Sequence, residues 1–290
     1  MRTALPLFAA AAMLAGAALP AAQQSASFDV ASVRPNHAPI VDPDDSSISI
    51  EPGGTFKTVN YPLRLLILFA YQIQNFQLEA PEWTLSSRFD IVARSGAAAA
   101  PATANVNASR TMLQGLLADR FQLAAHKETQ ERPIYELVRV RGDGQPGPRL
   151  RRSTGDCAAR RAALQNGTAA NPPGPPGPGG CGVSTRLGRI AFGGSPVSAV
   201  ANVLSPLVQR VVVDRTGLTG EWEFELTFTP DPSTLQVPPG LPLPPVAANA
   251  DPNAPSLFTA LEEQLVLKLQ PARGPVEMLV VDRVQQPTEN

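Results

Sequence analysis

Four segments of this chain repeat one pattern, in which an apolar helix-like run is followed by two strand-like runs. The helix-like runs are PLRLLILFAYQI, SRTMLQGLLADR, PVSAVANVLSPLV and PSLFTALEEQL. Strand-like runs such as RVVVDRT and EWEFELTFT follow them. One such unit cannot bury its apolar face alone, so neighbouring units must pack together. This repeat constrains the possible folds more than any single motif.

The spacing of apolar residues supports these assignments. In the second and fourth helices the apolar residues form one stripe each; they are Met112, Leu113, Leu116 and Leu117, and Leu257, Phe258, Leu261 and Leu265. Ser109 and Ser256 are N-cap candidates for these two helices. In the last strand of the third unit, apolar residues alternate with polar ones; they are Trp222, Phe224, Leu226 and Phe228.

We therefore expect an α+β fold, in which repeated helix–strand–strand units form two mostly antiparallel sheets with helices packed on one face. Units one and two make a first module at residues 28–143. Units three and four make a second module at residues 188–290. Many of the chain's 31 prolines cluster outside these units. Residues 144–187 are accordingly predicted to be a Pro/Gly-rich linker, and residues 231–254 a Pro-rich surface loop.

Residues 1–22, MRTALPLFAAAAMLAGAALPAA, resemble a secretory signal peptide. Arg2 supplies the positive start, an Ala/Leu run follows, and small residues lie near the expected cleavage site. The run is short for a membrane span and ends at Pro20, although an uncleaved anchor is the alternative. We expect an exported protein, periplasmic or extracellular, with no membrane span after cleavage.

The two cysteines, Cys157 and Cys181, flank the segment NPPGPPGPGG. In an oxidising compartment this arrangement predicts a disulfide. Closing that loop stabilises a fold by about 3 kcal/mol. The alternative is a metal site, but the chain has only two histidines, His37 and His126, and neither is near the cysteines. We predict no metal and no other cofactor. The chain has a net charge of −1 and therefore no excess of basic residues, which nucleic-acid-binding proteins carry. No nucleic acid is expected as a partner.

The motif DRTG in VVVDRTGLTGEWEFELTFTPD is similar to the DKTG of phosphate-transferring pumps, which would make Asp214 a nucleophile. The same residues also fit a bend between two strands. Asp214 ends a Val-rich strand, and Gly217 and Gly220 supply the positive φ angles that a bend requires. We predict that Asp214 pins this bend.

Four residues form the candidate binding surface: Trp83, Arg88, His126 and Trp222. The two tryptophans stand out because aromatic residues make up 6% of the chain, although packing in the core is the alternative. His126 lies close to acidic residues on a predicted strand, a setting that suits a general base. No serine or cysteine is recognisably placed as its nucleophile, so we predict no catalytic residues.

Several motifs resemble a soil-associated bacterial family of secreted proteins of unknown function. They are FDVASVRPN, PEWTLSSRFDIVAR, MLQGLLADRFQLAAHKETQERPIYELV, VVDRTGLTGEWEFELTFTPD and PSLFTALEEQLVLKLQPARGPVEMLVVDRVQQPTEN. The family is related to domains fused to BlaR/MecR-type membrane metallopeptidases. The resemblance implies that the protein is exported and related to this family. It implies no catalytic residues. Arg283 and Gln286 replace the histidine and the acid that we expect in the last motif.

The leading functional hypothesis is a non-enzymatic exported binding module. Its expected partner is an envelope protein or a cell-wall component. Two alternatives remain. One is a hydrolase of envelope polymers that uses His126 and nearby acids. The other is a ligand-sensing domain related to membrane peptidase sensors.

Overall fold

The fold is seen in a computed structural model that describes residues 27–51, 54–95, 106–141, 146–165, 177–186, 188–231 and 253–287. The predicted signal peptide, at residues 1–22, lies outside the described residues. So does most of the predicted Pro-rich loop, at 232–252. Within the described residues the chain is α+β, as predicted.

Twelve strands form in the described part of the chain. They are β1 (Phe28–Asn36), β2 (Ser47–Glu51), β3 (Thr55–Pro62), β4 (Leu78–Glu79), β5 (Arg88–Ser95), β6 (Ala124–Arg139), β7 (Arg151–Arg152), β8 (Gly182–Arg186), β9 (Arg189–Ser195), β10 (Val212–Asp214), β11 (Trp222–Thr227) and β12 (Leu267–Arg283). The helices are α1 (Leu63–Tyr71), α2 (Trp83–Ser86), α3 (Val106–Arg120), α4 (Cys157–Gln165), α5 (Val197–Val208) and α6 (Leu257–Ala260), which a π-helical turn continues over Leu261–Leu265.

The described strands form three four-stranded sheets, so the prediction of two sheets is corrected. The first sheet has the order β1-β5-β3-β2 and the third β7-β11-β9-β8, and both are antiparallel throughout. The central sheet has the order β10-β6-β12-β4. Its core is the antiparallel pair β6 and β12, flanked by parallel pairings to β10 and β4.

The strands β6 and β12 are much longer than expected. The sequence predicted two strands in each region, broken near Pro133 and Pro275, because proline cannot donate to a ladder. The structure has one strand of 16 residues and one of 17 residues instead. Both prolines stay within the paired register, opposite Arg273 and Glu131, because pairing continues on both sides of them.

Two halves of the chain repeat one order of elements. Apart from α2 in the first half and α4 in the second, which have no counterpart, residues 27–141 contain β1, β2, β3, α1, β4, β5, α3 and β6, and residues 146–287 contain β7, β8, β9, α5, β10, β11, α6 and β12. Equivalent positions also share positive φ angles, in the pairs Gly54 and Gly188, Asn60 and Gly194, Gln72 and Gln209, and Gln122 and Val266. The repeat therefore consists of two large units rather than four small ones.

Each half has a hydrophobic core between its outer sheet and its helices. The first core includes the predicted α3 residues Leu113, Leu116 and Leu117, all buried, while Met112 is buried as well. The second core includes the alternating β11 residues, which are all buried as predicted; they are Trp222, Phe224, Leu226 and Phe228. Ser256 caps α6 as predicted by accepting a bond from the Thr259 amide, whereas Ser109 lies inside α3.

The central sheet interlocks the two halves. Leu137, on β6 of the first half, packs in the second core, and Leu279, on β12 of the second half, packs in the first core. Strands from both predicted modules thus form one sheet. Each long strand begins in the core of its own half and ends in the core of the other.

The segment predicted as a linker, 144–187, is more ordered than its composition indicated. Its described residues form β7, α4 and β8, and the last of these pairs with β9. The predicted disulfide between Cys157 and Cys181 is present, with the two Cα atoms 5.5 Å apart. It joins α4 to the start of β8, which ties the segment to the third sheet.

Candidate functional site

His126 lies on β6 with an exposed side chain. Its Nδ1 is 3.0 Å from both carboxylate oxygens of Asp282, which is on β12. Its Nε2 is 3.7 Å from a Glu128 carboxylate oxygen. The hydrogen bond and charge of Asp282, with a smaller effect of Glu128, raise the pKa of His126 above its ordinary value of 6.5.

The neighbours of His126 are also engaged in surface pairs. Lys127 donates to Glu277 at 2.7 Å, and Gln130 donates to Glu128. This group of exposed side chains spans the β6–β12 pair. A half-exposed histidine in such a network is typical of a surface ion pair, because solvent competes for each charge.

The other candidate residues are distributed over both halves. Trp222 is buried in the second core, and its indole N–H donates to the Thr219 carbonyl at 3.2 Å. Trp83 begins α2 and packs on the first core, while Arg88 donates to the Ala38 carbonyl at 2.9 Å. The structure therefore does not bring the two tryptophans into one surface.

Asp214 pins the bend after β10, as predicted. One of its carboxylate oxygens accepts bonds from the Thr216 amide at 2.9 Å and from the Thr216 hydroxyl at 2.8 Å. Gly217 and Gly220 follow with φ angles of 67° and 83°. The carboxylate thus closes a local turn with its own neighbours.

A cavity of about 510 Å³ opens beside the second core. It lies among the end of α5, the β8–β9 turn, the chain after β11 and the start of α6. The apolar residues in the described part of its lining are Tyr135, Leu207, Val208, Phe228, Pro230, Leu257 and Phe258. Volumes of about 300–1,000 Å³ with apolar walls are typical of small-molecule sites.

Aromatic rings form one wall of the cavity. The Tyr135 and Phe258 rings meet edge to face with centroids 5.6 Å apart, and Phe258 is 42% exposed. The guanidinium of Arg210 lies 5.1 Å from the centroid of the Tyr135 ring. The other described lining residues are polar or small: Thr185, Arg186, Gly188, Thr229, Asp231 and Ser256.

The cavity lies where the two halves differ. In the first half, α3 has 15 residues and packs on the end of α1: Arg110, in its second turn, lies 5.1 Å from the Phe69 ring centroid, and Gln114, further along, donates to the Ala70 carbonyl. In the second half, α6 and its π turn begin only at Leu257, which removes about two turns of helix.

The chain before α6 takes another path. The Thr229 amide donates to the Pro255 carbonyl at 2.8 Å, and its hydroxyl donates to the Ala254 carbonyl at 2.6 Å. Leu207 and Val208, at the end of α5, consequently face the cavity, whereas Ala70, near the same point of α1, is fully buried. Within the described residues, the cavity therefore adjoins the point at which α6 is shorter than α3.

Sequence reasoning did not find this cavity. Its one signal was Phe258, which fitted the apolar stripe of the fourth helix and was expected in the core. An exposed ring within such a stripe indicates a missing neighbour. Whether such a neighbour is missing depends on the residue at which α6 begins, and the apolar pattern of the sequence does not give that residue.

A protein family model, described as a protein of unknown function (DUF3738), matches residues 64–284. Neither a curated protein nor a solved structure matches the chain. Among the helices in the described ranges, none is long and apolar enough to cross a membrane. No cluster of three or more His, Cys, Asp or Glu side chains suited to a metal ion is found within those ranges.

Proposed function

Because this chain belongs to the DUF3738 family, whose function is unknown, we propose a function from the structure itself: a non-enzymatic, exported binding protein that takes an apolar ligand in its cavity. One observation carries the proposal. Within the described residues, an apolar cavity lies at the end of α5, whereas in the first half the longer α3 packs on the end of α1.

The walls of the cavity suit an apolar ligand. Phe228 and Leu257 are buried in the second core, and their side chains form its inner surface. The exposed ring of Phe258 stands at its edge. An apolar molecule gains free energy when it replaces water on these surfaces, at about 25 cal/mol per Å² buried.

The setting of His126 supports a binding role over a hydrolytic one. The imidazole is exposed and paired with Asp282 on the open face of the β6–β12 pair. It does not line the cavity, where a bound molecule would be enclosed. An envelope-polymer hydrolase is therefore the less favoured function.

Export is supported by the disulfide and by the predicted signal peptide. Disulfides persist in oxidising compartments such as the periplasm and the extracellular space. The bond between Cys157 and Cys181 stands beside the third sheet, which forms part of the cavity. A component of the cell envelope with an apolar group is the partner that this setting favours.

The experiment is a titration with N-phenyl-1-naphthylamine, a neutral dye that fluoresces in apolar surroundings. Thr185 lines the cavity and is exposed on β8, so Thr185→Trp places a large side chain at its entrance. We expect the dye to bind the unmodified chain and to bind Thr185→Trp at least about tenfold more weakly, a loss of about 1.4 kcal/mol.

Val183→Trp is the matched control. Val183 is exposed, lies on the same strand and, two residues away, on the same face. It does not line the cavity. Equal dye affinity in the unmodified chain and in both variants would refute the proposed function, as would the absence of any binding.

A further inference from the structure

Among the described residues in and beside the cavity lining, positive charges outnumber negative ones. Arg186 lines it with an exposed side chain, and Arg210 lies beside the Tyr135 ring that forms its wall. Asp231 is the acidic residue among the described lining residues. The two arginines and one acid leave a surplus of positive charge near the opening.

Arg186 differs from the arginine that follows it on the next strand. Arg189 pairs across the third sheet with Glu225 at 2.6 Å. The backbone of Arg186 pairs with Arg189 in the β8–β9 ladder, and its side chain makes no hydrogen bond or ion pair with another described residue. Its guanidinium is therefore available to a ligand at the entrance of an apolar cavity.

We propose that the cavity binds amphipathic carboxylates, with the apolar body of the molecule in the cavity and its carboxylate on Arg186. This inference rests on the proposed function and specifies its ligand class. The planar guanidinium presents paired N–H donors that match the two oxygens of a carboxylate. Because Arg186 is exposed, the carboxylate keeps much of its hydration while the body is buried.

The apolar lining explains why the anionic group belongs at the entrance. Leu207, Val208 and Leu257 offer no hydrogen bonds to a charged group, and burial of an unpaired carboxylate against them is costly. Arg186, at the end of β8, is the cation among the described lining residues. The ligand is thus oriented with its charged end toward solvent.

The test uses the full chain and two competitors with one tail, decanoate and 1-decanol, which displace N-phenyl-1-naphthylamine. The measured quantity is the ratio of the decanol Kd to the decanoate Kd at pH 7.5, where decanoate is ionised. We expect this ratio to fall by about threefold to fivefold in Arg186→Gln, the range of an exposed ion pair. The Kd of the dye is measured separately in each variant, so that each displacement curve gives the Kd of the competitor.

Arg273→Gln is the control, because it removes the same charge from an exposed side chain on β12 that donates to the Glu131 carbonyl. Its ratio should equal that of the unmodified chain. An unchanged ratio in Arg186→Gln, or an equal fall in both variants, would overturn this inference while leaving the apolar site intact. Failure of the dye to bind the unmodified chain would instead overturn the proposed function, and this inference with it.

Discussion

The His126 imidazole is held between two carboxylates at different distances. Asp282 lies 3.0 Å from Nδ1, and Glu128 lies 3.7 Å from Nε2. Both favour the imidazolium, and the Asp282 hydrogen bond contributes most to the raised pKa. The Nδ1–H of His126 therefore donates to Asp282 when the ring is protonated.

We predict that Asp282→Asn lowers the pKa of His126 toward 6.5, because the neutral amide keeps the shape but loses the charge. Glu128→Gln should lower the same pKa by less. NMR titration of the imidazole protons measures both effects, and His37→Gln assigns the signals, since the chain has two histidines. Identical titration curves for Asp282→Asn and the unmodified chain would contradict the assignment.

The pH dependence of stability follows from the sign of this shift. The folded pKa is higher than the unfolded one, so the folded chain holds the proton more tightly. The pair then stabilises the fold fully below about pH 6.5, and this contribution is lost as the pH rises through the folded pKa. Its exposure keeps the contribution small.

Phe258 shows why a local sequence pattern is not enough to predict the burial of a single side chain. Leu257, Leu261 and Leu265 are buried, as the apolar stripe predicted, but Phe258 is 42% exposed. A stripe gives the direction of a side chain around a helix axis. It does not say whether another element covers that side, and here the shortened α6 leaves the ring uncovered.

At the scale of elements, the disulfide holds α4 against the third sheet. Cys157 is fully buried, and a Cβ built on Gly194 of β9 would lie 2.0 Å from the Cys157 sulfur. The absence of a side chain at Gly194 is therefore what lets the bond pack on β9. The sequence predicted the cysteine pair from its setting but assigned α4 to a linker, because long-range packing does not appear in composition.

We predict that the double variant Cys157→Ala and Cys181→Ala lowers the free energy of unfolding by about 3 kcal/mol, through the added entropy of the unfolded chain. Urea unfolding measures the change, and the unmodified chain with reductant is the matched comparison. Intact mass after alkylation, with and without reduction, counts the thiols. Two alkylated cysteines without reduction would show that the bond is not formed.

The long strands β6 and β12 illustrate what could be predicted of elements. The positions of these strands followed from the alternation of apolar and polar residues. The positions of the helices before them followed from apolar stripes. The continuity of the two strands did not follow, since Pro133 and Pro275 are signals for a strand end. The pairing partner that keeps each strand extended lies more than 100 residues away along the chain, beyond the reach of a local pattern.

At the scale of the whole molecule, the two cores share the β6–β12 pair. Leu137 and Leu279 each belong to one half and pack in the core of the other. Unfolding one half therefore removes a strand from the other. Two modules with separate sheets, as the sequence suggested, would lack this coupling.

We predict one cooperative unfolding transition for both halves. Trp83 reports on the first core and Trp222 on the second, so the variants Trp222→Phe and Trp83→Phe each leave one probe. In each variant the fluorescence midpoint should coincide with the circular dichroism midpoint. Leu137→Ala should lower both midpoints, with a cost of about 2–5 kcal/mol. Two separated transitions would contradict the coupling.

The exchange of strands between the halves gives the central sheet a pseudo-twofold arrangement. A half-length chain would carry one long strand and one short parallel strand without partners. A second copy of the same chain would supply both, in the arrangement that β10, β6, β12 and β4 now have. Two half-length chains paired about a twofold axis between their long strands would therefore form the same four-stranded sheet.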